Sequence, residues 1–183
     1  MRVSLSALLI LGLSFGFANV PCLAVEKVLA TPGVGIGVAK LGMTAQKMKE
    51  AAGNFDGSYT LPSGVKVEHA DWKDKGLTTV MLKVFYDKDG KAIQIASAGS
   101  AVVTKDGISK QSPLTSLMAN RLKLTEYRAK NGRVDYYDNV SAGIAYEYRR
   151  LDEDLARKMY AIIVHKRGVP VMSDQDEVPL KKK

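Results

Sequence analysis

One cysteine, two histidines and one tryptophan are all that the 183 residues contain of those three types, and each scarcity removes a class of chemistry. Cys22 stands alone, so no disulfide can form within the chain and a thiolate metal site lacks donors. His69 and His165 stand in no metal-ligand spacing. The one Gly-x-Ser-x-Gly frame, around Ser14, falls inside the apolar run near the start, and no serine after residue 24 has that setting, so nucleophilic catalysis has no motif to rest on. No metal and no cofactor are expected. Long apolar runs are missing as well: Leu5 to Phe17 covers 13 residues, against the ~20 that a bilayer-spanning helix needs.

That short run has the form of an export signal. Arg2 gives a positive start, Pro21 would end the apolar helix, and Cys22-Leu23-Ala24 places small residues where a signal peptidase reads. Cleavage is expected before Val25, with a cut after Ala18 as the second choice, making 1–24 a signal peptide and leaving no integral membrane span. The mature chain would then lack cysteine altogether and rest on an ordinary hydrophobic core, in the periplasm or outside the cell. Its charge is basic, 27 Lys+Arg against 19 Asp+Glu for a formal +8. That balance favours an acidic surface as a possible partner without specifying nucleic acid, because the cations are scattered. Their one run, Lys181-Lys182-Lys183, reads as a solvated end of a basic C-terminal tail over 169–183.

What is present is a weak internal repeat with a period of about 68 residues, 25–100 and 101–168. In the first copy Thr44 is placed to cap a helix over Ala45 to Ala52 that Gly53 ends. In the second, Ser112-Pro113 opens a helix running to about Leu122. Each helix is followed by two hairpins. The strands are expected at 58–61, 65–72, 78–86 and 91–97, then at 126–130, 133–138, 143–150 and 158–166, with turns at Pro62-Ser63-Gly64, Asp87 to Gly90, Asn131-Gly132 and Asp152-Glu153-Asp154. Asp87-Lys88-Asp89-Gly90 resembles the start of a calcium loop, but the twelfth position is Ala98, so it reads as a turn. Gly33, Gly35 and Gly37 have no helix and no Lys-Ser/Thr pair behind them and read as a flexible lead-in. The fold class is therefore α+β: two tandem helix-plus-four-stranded antiparallel sheet units joined in one layered domain.

Strand alternation separates two faces. Val80, Leu82, Val84 and Tyr86 share a core parity, as do Ile144, Tyr146 and Tyr148, then Tyr160, Ile162 and Val164. The opposite parity carries Met81, Lys83 and Phe85, then Glu147 and Arg149, then Arg133, Asp135 and Tyr137, with Trp72 ending its strand. His69 reads as half-buried and His165 as exposed. Aromatic and Arg side chains dominate interface hot spots, which nominates Trp72, Phe85, Tyr137 and Arg149 as partner-binding residues.

With Leu41-Gly42-Met43-Thr44 opening the first helix and Asp106-Gly107-Ile108-Ser109 preceding the second, the tandem arrangement resembles the β-lactamase-inhibitor-protein superfamily, whose single-copy relatives include the small lipoprotein of the outer-membrane β-barrel assembly machine. The resemblance spans Val34 to Lys166. It implies an exported binding protein, not an enzyme, that grips a protein partner with the open face of a long antiparallel sheet. The chain departs from the family by lacking the cysteines that tie each half of the inhibitors and by lacking a lipobox, so neither a β-lactamase nor the assembly machine is implied as its partner. A non-catalytic module binding a protein in the cell envelope or outside the cell is the expectation. The alternative is a small extracytoplasmic hydrolase acting on an anionic envelope polymer, with His69, Asp71 and Asp135 as its acid/base set.

Overall fold

A computed structural model describes residues 27–74, 77–119, 123–129, 132–150, 157–173 and 181–182. The segment 1–24, expected to be a signal peptide, and the turn expected at Asp152 to Asp154 lie outside the described residues, as does the side chain of Trp72.

The sequence dictates strands wherever β-branched and aromatic residues alternate between Gly- and Asp-containing turns. After a first short helix, α1 (Ala45–Ala52), come β4 (Gly57–Thr60), β5 (Lys66–Asp74), β6 (Leu77–Tyr86) and β7 (Ala92–Ser97); after a second, α2 (Leu114–Ala119), come β9 (Thr125–Arg128), β10 (Val134–Asn139), β11 (Ile144–Arg150) and β12 (Arg157–His165). Neighbours pair antiparallel in order β9-β10-β11-β12-β7-β6-β5-β4, and β13 (Lys181–Lys182) adds to the free side of β9, giving nine strands. The join between the two sets is β12 against β7, with Val164 opposite Ile95 and Ile163 opposite Ala96.

The expected α+β class, two helix-plus-sheet units, is overturned. Among the described residues the chain is mostly β, and the two helices described there have eight and six residues. Thr44 Oγ1 does accept the Lys47 N–H and Gly53, at φ 90°, does end α1, so that helix is held to two turns by its own caps. In place of a helical layer of its own for each unit there is a second sheet, ordered β3-β2-β1-β8, built from β1 (Val28–Thr31), β2 (Gly35–Ile36), β3 (Ala39–Lys40) and β8 (Val102–Thr104). β8 pairs parallel to β1, so this sheet draws on both repeats. The supposedly flexible Gly33 to Gly37 stretch is its first hairpin: Gly33 at φ 67° and Gly37 at φ 55° supply the left-handed backbone that the tight reversals need.

One face of the long sheet packs against the small sheet and both helices. Val84, Tyr86, Ile95, Tyr146, Tyr148, Met159, Ile162 and Val164 form a single core with Met48 of α1, Leu117 of α2 and Ala30, Ile36, Ala39 and Val102 of the small sheet. Met159 takes the place expected for Tyr160, because the β11–β12 register shifts between Glu147 and Tyr148. That bulge turns Tyr160 partly outward. No helix among the described residues is long and apolar enough to cross a membrane.

Candidate functional site

The sheet face away from the helices was the expected recognition surface, and the structure redistributes the four residues nominated for it. Phe85 does have that parity, but it is only 2 % exposed. Tyr137 is on the other side altogether, opposite Tyr146 and inside the main core with its ring edge-on to Tyr148 at 5.3 Å. Its hydroxyl reaches Glu126 Oε1 at 3.4 Å, and burial followed by the Glu126 charge raises its pKa. Asp135 shares this inward side and is fully buried. The parity of β10 is thus the reverse of the expected one. Arg149 remains on the outer side, half-buried, with Nε 2.6 Å from Glu147 Oε1 and its guanidinium 3.4 Å over the Tyr160 ring. Lys110 Nζ also lies over that ring, 5.5 Å from its centre. Trp72 is in β5, opposite Thr79.

Part of the outer face is closed by the chain itself. Residues 171–173, expected to belong to a basic C-terminal tail, are docked across β7, β12 and β10. Gln94 clamps Met172 from both sides, donating Nε2 to its carbonyl at 2.9 Å and accepting its N–H at 2.8 Å. Val171 N–H donates to Asp138 Oδ2 at 2.9 Å, and the other oxygen, Oδ1, is 2.9 Å from His165 Nε2. His165 Nδ1 faces the Lys166 carbonyl at 3.1 Å, and Tyr136 and Ser173 share a hydroxyl contact at 3.1 Å. Val171 itself completes a second apolar cluster with Ala96, Ala129, Val134, Tyr136, Ala145 and Ile163. His165, expected on an exposed parity, is therefore 2 % exposed. No buried side-chain polar atom among the described residues lacks a partner, which helps a short segment without regular structure to stay down.

Toward β4, β5 and β6 the same face carries Tyr59, His69 and Lys83. Tyr59 is 37 % exposed, its ring tilted against His69 at 6.2 Å. His69 Nδ1 is 2.9 Å from Asp71 Oδ1, and Asp71 N–H donates to Asp56 Oδ2 at 2.7 Å. The imidazole lies directly over Gly57, where a Cβ would stand 2.5 Å from Nε2. Gly57→Ala is accordingly expected to push the ring off Asp71 at a cost of about 1–3 kcal/mol, the usual range for overpacking. A urea midpoint unchanged from wild type would show that the ring is loosely held.

A His–Asp pair is half of an acid/base device, and the remainder of the proposed set does not join it. Asp135 is five strands from β5 in the sheet order, roughly 24 Å at the usual strand spacing, and its carboxylate is taken up by Arg128 and Arg157. The buried tyrosines offer no proton near neutrality: burial, then the Asp106 charge, pushes the Tyr146 hydroxyl up to about 12, and burial raises Tyr86 and Tyr148 in the same direction. Among the described residues no group of three or more His, Cys, Asp or Glu side chains is placed to hold a metal ion.

Gln94 and Asp138 were not singled out in sequence, and His165 was read there only as an exposed histidine. No family model matches the sequence, and no curated protein matches it. Among solved structures, the crystal structure of the uncharacterized protein yfeY from Escherichia coli is similar to this chain with a TM-score of 0.53 and 19% identity, over 77% of this chain and 100% of that one; the two share a fold.

Proposed function

We propose that this chain is an exported, non-catalytic protein-binding module of the β-lactamase-inhibitor-protein-like superfamily that meets its partner with the outer face of the long sheet. The observation that carries the reading is the asymmetry of that sheet. One face packs against the helices and the small sheet, while the other is closed around Val67, Phe85, Ala145 and the strap and stays partly exposed at Tyr59, His69 and Lys83. The stretch over β4 to β6 presents Tyr59 with His69 and Lys83, and the far end of β11 presents Arg149 on Tyr160. An aromatic and basic surface on a rigid sheet has the residue types from which hot spots are made. Likeness to yfeY supports the fold part of the proposal. Of the residues first nominated, Arg149 and Trp72 stay in it, and Phe85 and Tyr137 leave it because they are buried.

A photo-crosslinking amino acid placed at Tyr59 or Lys83, and for comparison at Gln46 or Lys47 on the exposed side of α1, tests the face directly in cells. Crosslinks to one discrete protein from the sheet positions and none from the helix positions are expected. Crosslinks from α1 alone would move the recognition surface to the other side, and none from either would remove the binding reading.

A further inference from the structure

We infer that the cleft between the β6–β7 turn and the Lys166-Arg167 turn is an anion site that takes a phosphate group, free or esterified. It is a cavity of about 480 Å³ lined by Gly33, Leu41, Gly42, Asp87, Lys91, Ala92, Ile93, Lys166 and Arg167, a volume within the range of small-ligand sites. Three cations face one carboxylate there. That carboxylate is already occupied, because Asp87 Oδ1 accepts the N–H groups of both Asp89 and Lys91 at 2.9 Å to close the hairpin turn. Three cations against one carboxylate leave the cleft net positive.

The guanidinium is positioned as well as charged. Arg167 Nη2 donates to the Pro32 carbonyl at 3.4 Å, and the side chain lies across Gly33, where a Cβ would come within 2.5 Å of Nε and 2.7 Å of Cγ. Gly33 therefore serves two ends: its φ of 67° makes the β1–β2 turn, and its missing side chain gives Arg167 a floor to lie on. A planar guanidinium held in this way matches two oxygens of one phosphate, and the two lysines add point charges without demanding a geometry. Ala92, Ile93 and Leu41 make the apolar wall, suited to the stem of a phosphate ester. The cleft is separate from the sheet face assigned to a protein partner, so its fate does not depend on that reading.

Titrating inorganic phosphate into isotope-labelled full-length protein tests the site, with amide shifts as the readout. Saturable shifts at Gly33, Gly42 and Ile93 are expected, with affinity falling at least about tenfold in Lys91→Ala/Lys166→Ala/Arg167→Ala. Removing Lys47 and Lys123, both exposed and outside the cleft lining, should leave affinity within a factor of about two, since distant surface charges are screened. Gly33→Ala keeps every charge but takes the floor from Arg167, and should weaken binding too; its folded state is checked from the same spectra. Co-sedimentation with vesicles of phosphatidylglycerol, set against phosphatidylcholine alone, distinguishes the sources. Retention on the anionic vesicles that the triple variant loses points to a lipid headgroup, and phosphate saturation without retention points to a free phosphate compound. Shifts that never saturate, or an affinity unchanged in the triple variant, would overturn the assignment.

Discussion

A chain ending at Ser100 is expected to be unfolded or aggregated, and the full-length protein to unfold in a single transition. Such a truncation keeps α1 and β4 to β7 but removes β12, the strand that pairs β7 from Gln94 to Ser97. It leaves the long edge of β7, whose Ala92, Ile95 and Ala96 are all buried in the intact protein, open to other chains. It also removes β8, the parallel partner of β1, and with it one side of the small sheet. The main core offers no natural cut either, since Met48, Val84 and Ile95 from the first repeat pack in one cluster with Leu117, Tyr146 and Ile162 from the second. A fragment of this size lacks disulfides or a metal to compensate. Urea unfolding of the whole chain, followed by circular dichroism and by fluorescence, should give coincident curves. Two separated transitions, or a soluble 1–100 fragment with native-like amide dispersion, would show that the halves are independent and that the continuous sheet is not what holds them.

How much of this was legible follows from what periodicity can and cannot report. Strand positions were readable because turn chemistry brackets them: Asp87 Oδ1 capping the Asp89 and Lys91 amides is the Asx turn that the sequence advertises. The class was not, because two helices of eight and six residues are a small part of a sheet-dominated chain, and because the first hairpin hides in a glycine-rich stretch whose side chains carry no alternation. Faces are readable where one of them meets water or where the side chains of the two differ in kind, as Ile144, Tyr146 and Tyr148 do from Ala145 and Glu147. Along β10 both are covered, Tyr137 by the main core and Val134 and Tyr136 by the strap cluster, so adjacent tyrosines gave the alternation no sign and the strand was assigned backwards. The β11–β12 bulge, which exchanged Tyr160 for Met159 in the core, left no mark in composition.

The candidate site fared worse for a related reason. Val171 and Met172 make their main-chain hydrogen bonds to Asp138 and Gln94, and a segment held by its main chain has no periodic signature. Sequence patterns record which side chains repeat. They are silent on which buried amide or carboxylate on a distant strand a loop will find, and those long-range polar contacts decide how much of the sheet face is open.

Asp135→Ala should cost roughly 3–5 kcal/mol of stability, the range for breaking a buried ion pair by removing one partner. The carboxylate is fully buried on the core side of β10. Arg128 grips it with a two-toothed contact, Nε to Oδ1 at 2.7 Å and Nη2 to Oδ2 at 3.2 Å, and Arg157 Nη1 meets Oδ2 from the far strand. Without the carboxylate two guanidinium groups would face each other. Arg157 is the worse placed, its side chain 15% exposed, and burial followed by the Arg128 charge already lowers its pKa. Arg128, at 38%, can turn to water, which favours the lower end of the range. The cost arises from the orphaned charge more than from a lost bond, so Asp135→Leu combined with Arg157→Met should recover more than half of it. Urea midpoints at constant slope measure both variants. A loss below about 1 kcal/mol for Asp135→Ala would place the pair among ordinary surface ion pairs. A double variant no more stable than the single one would show instead that the carboxylate contributes through geometry that an apolar pair cannot replace.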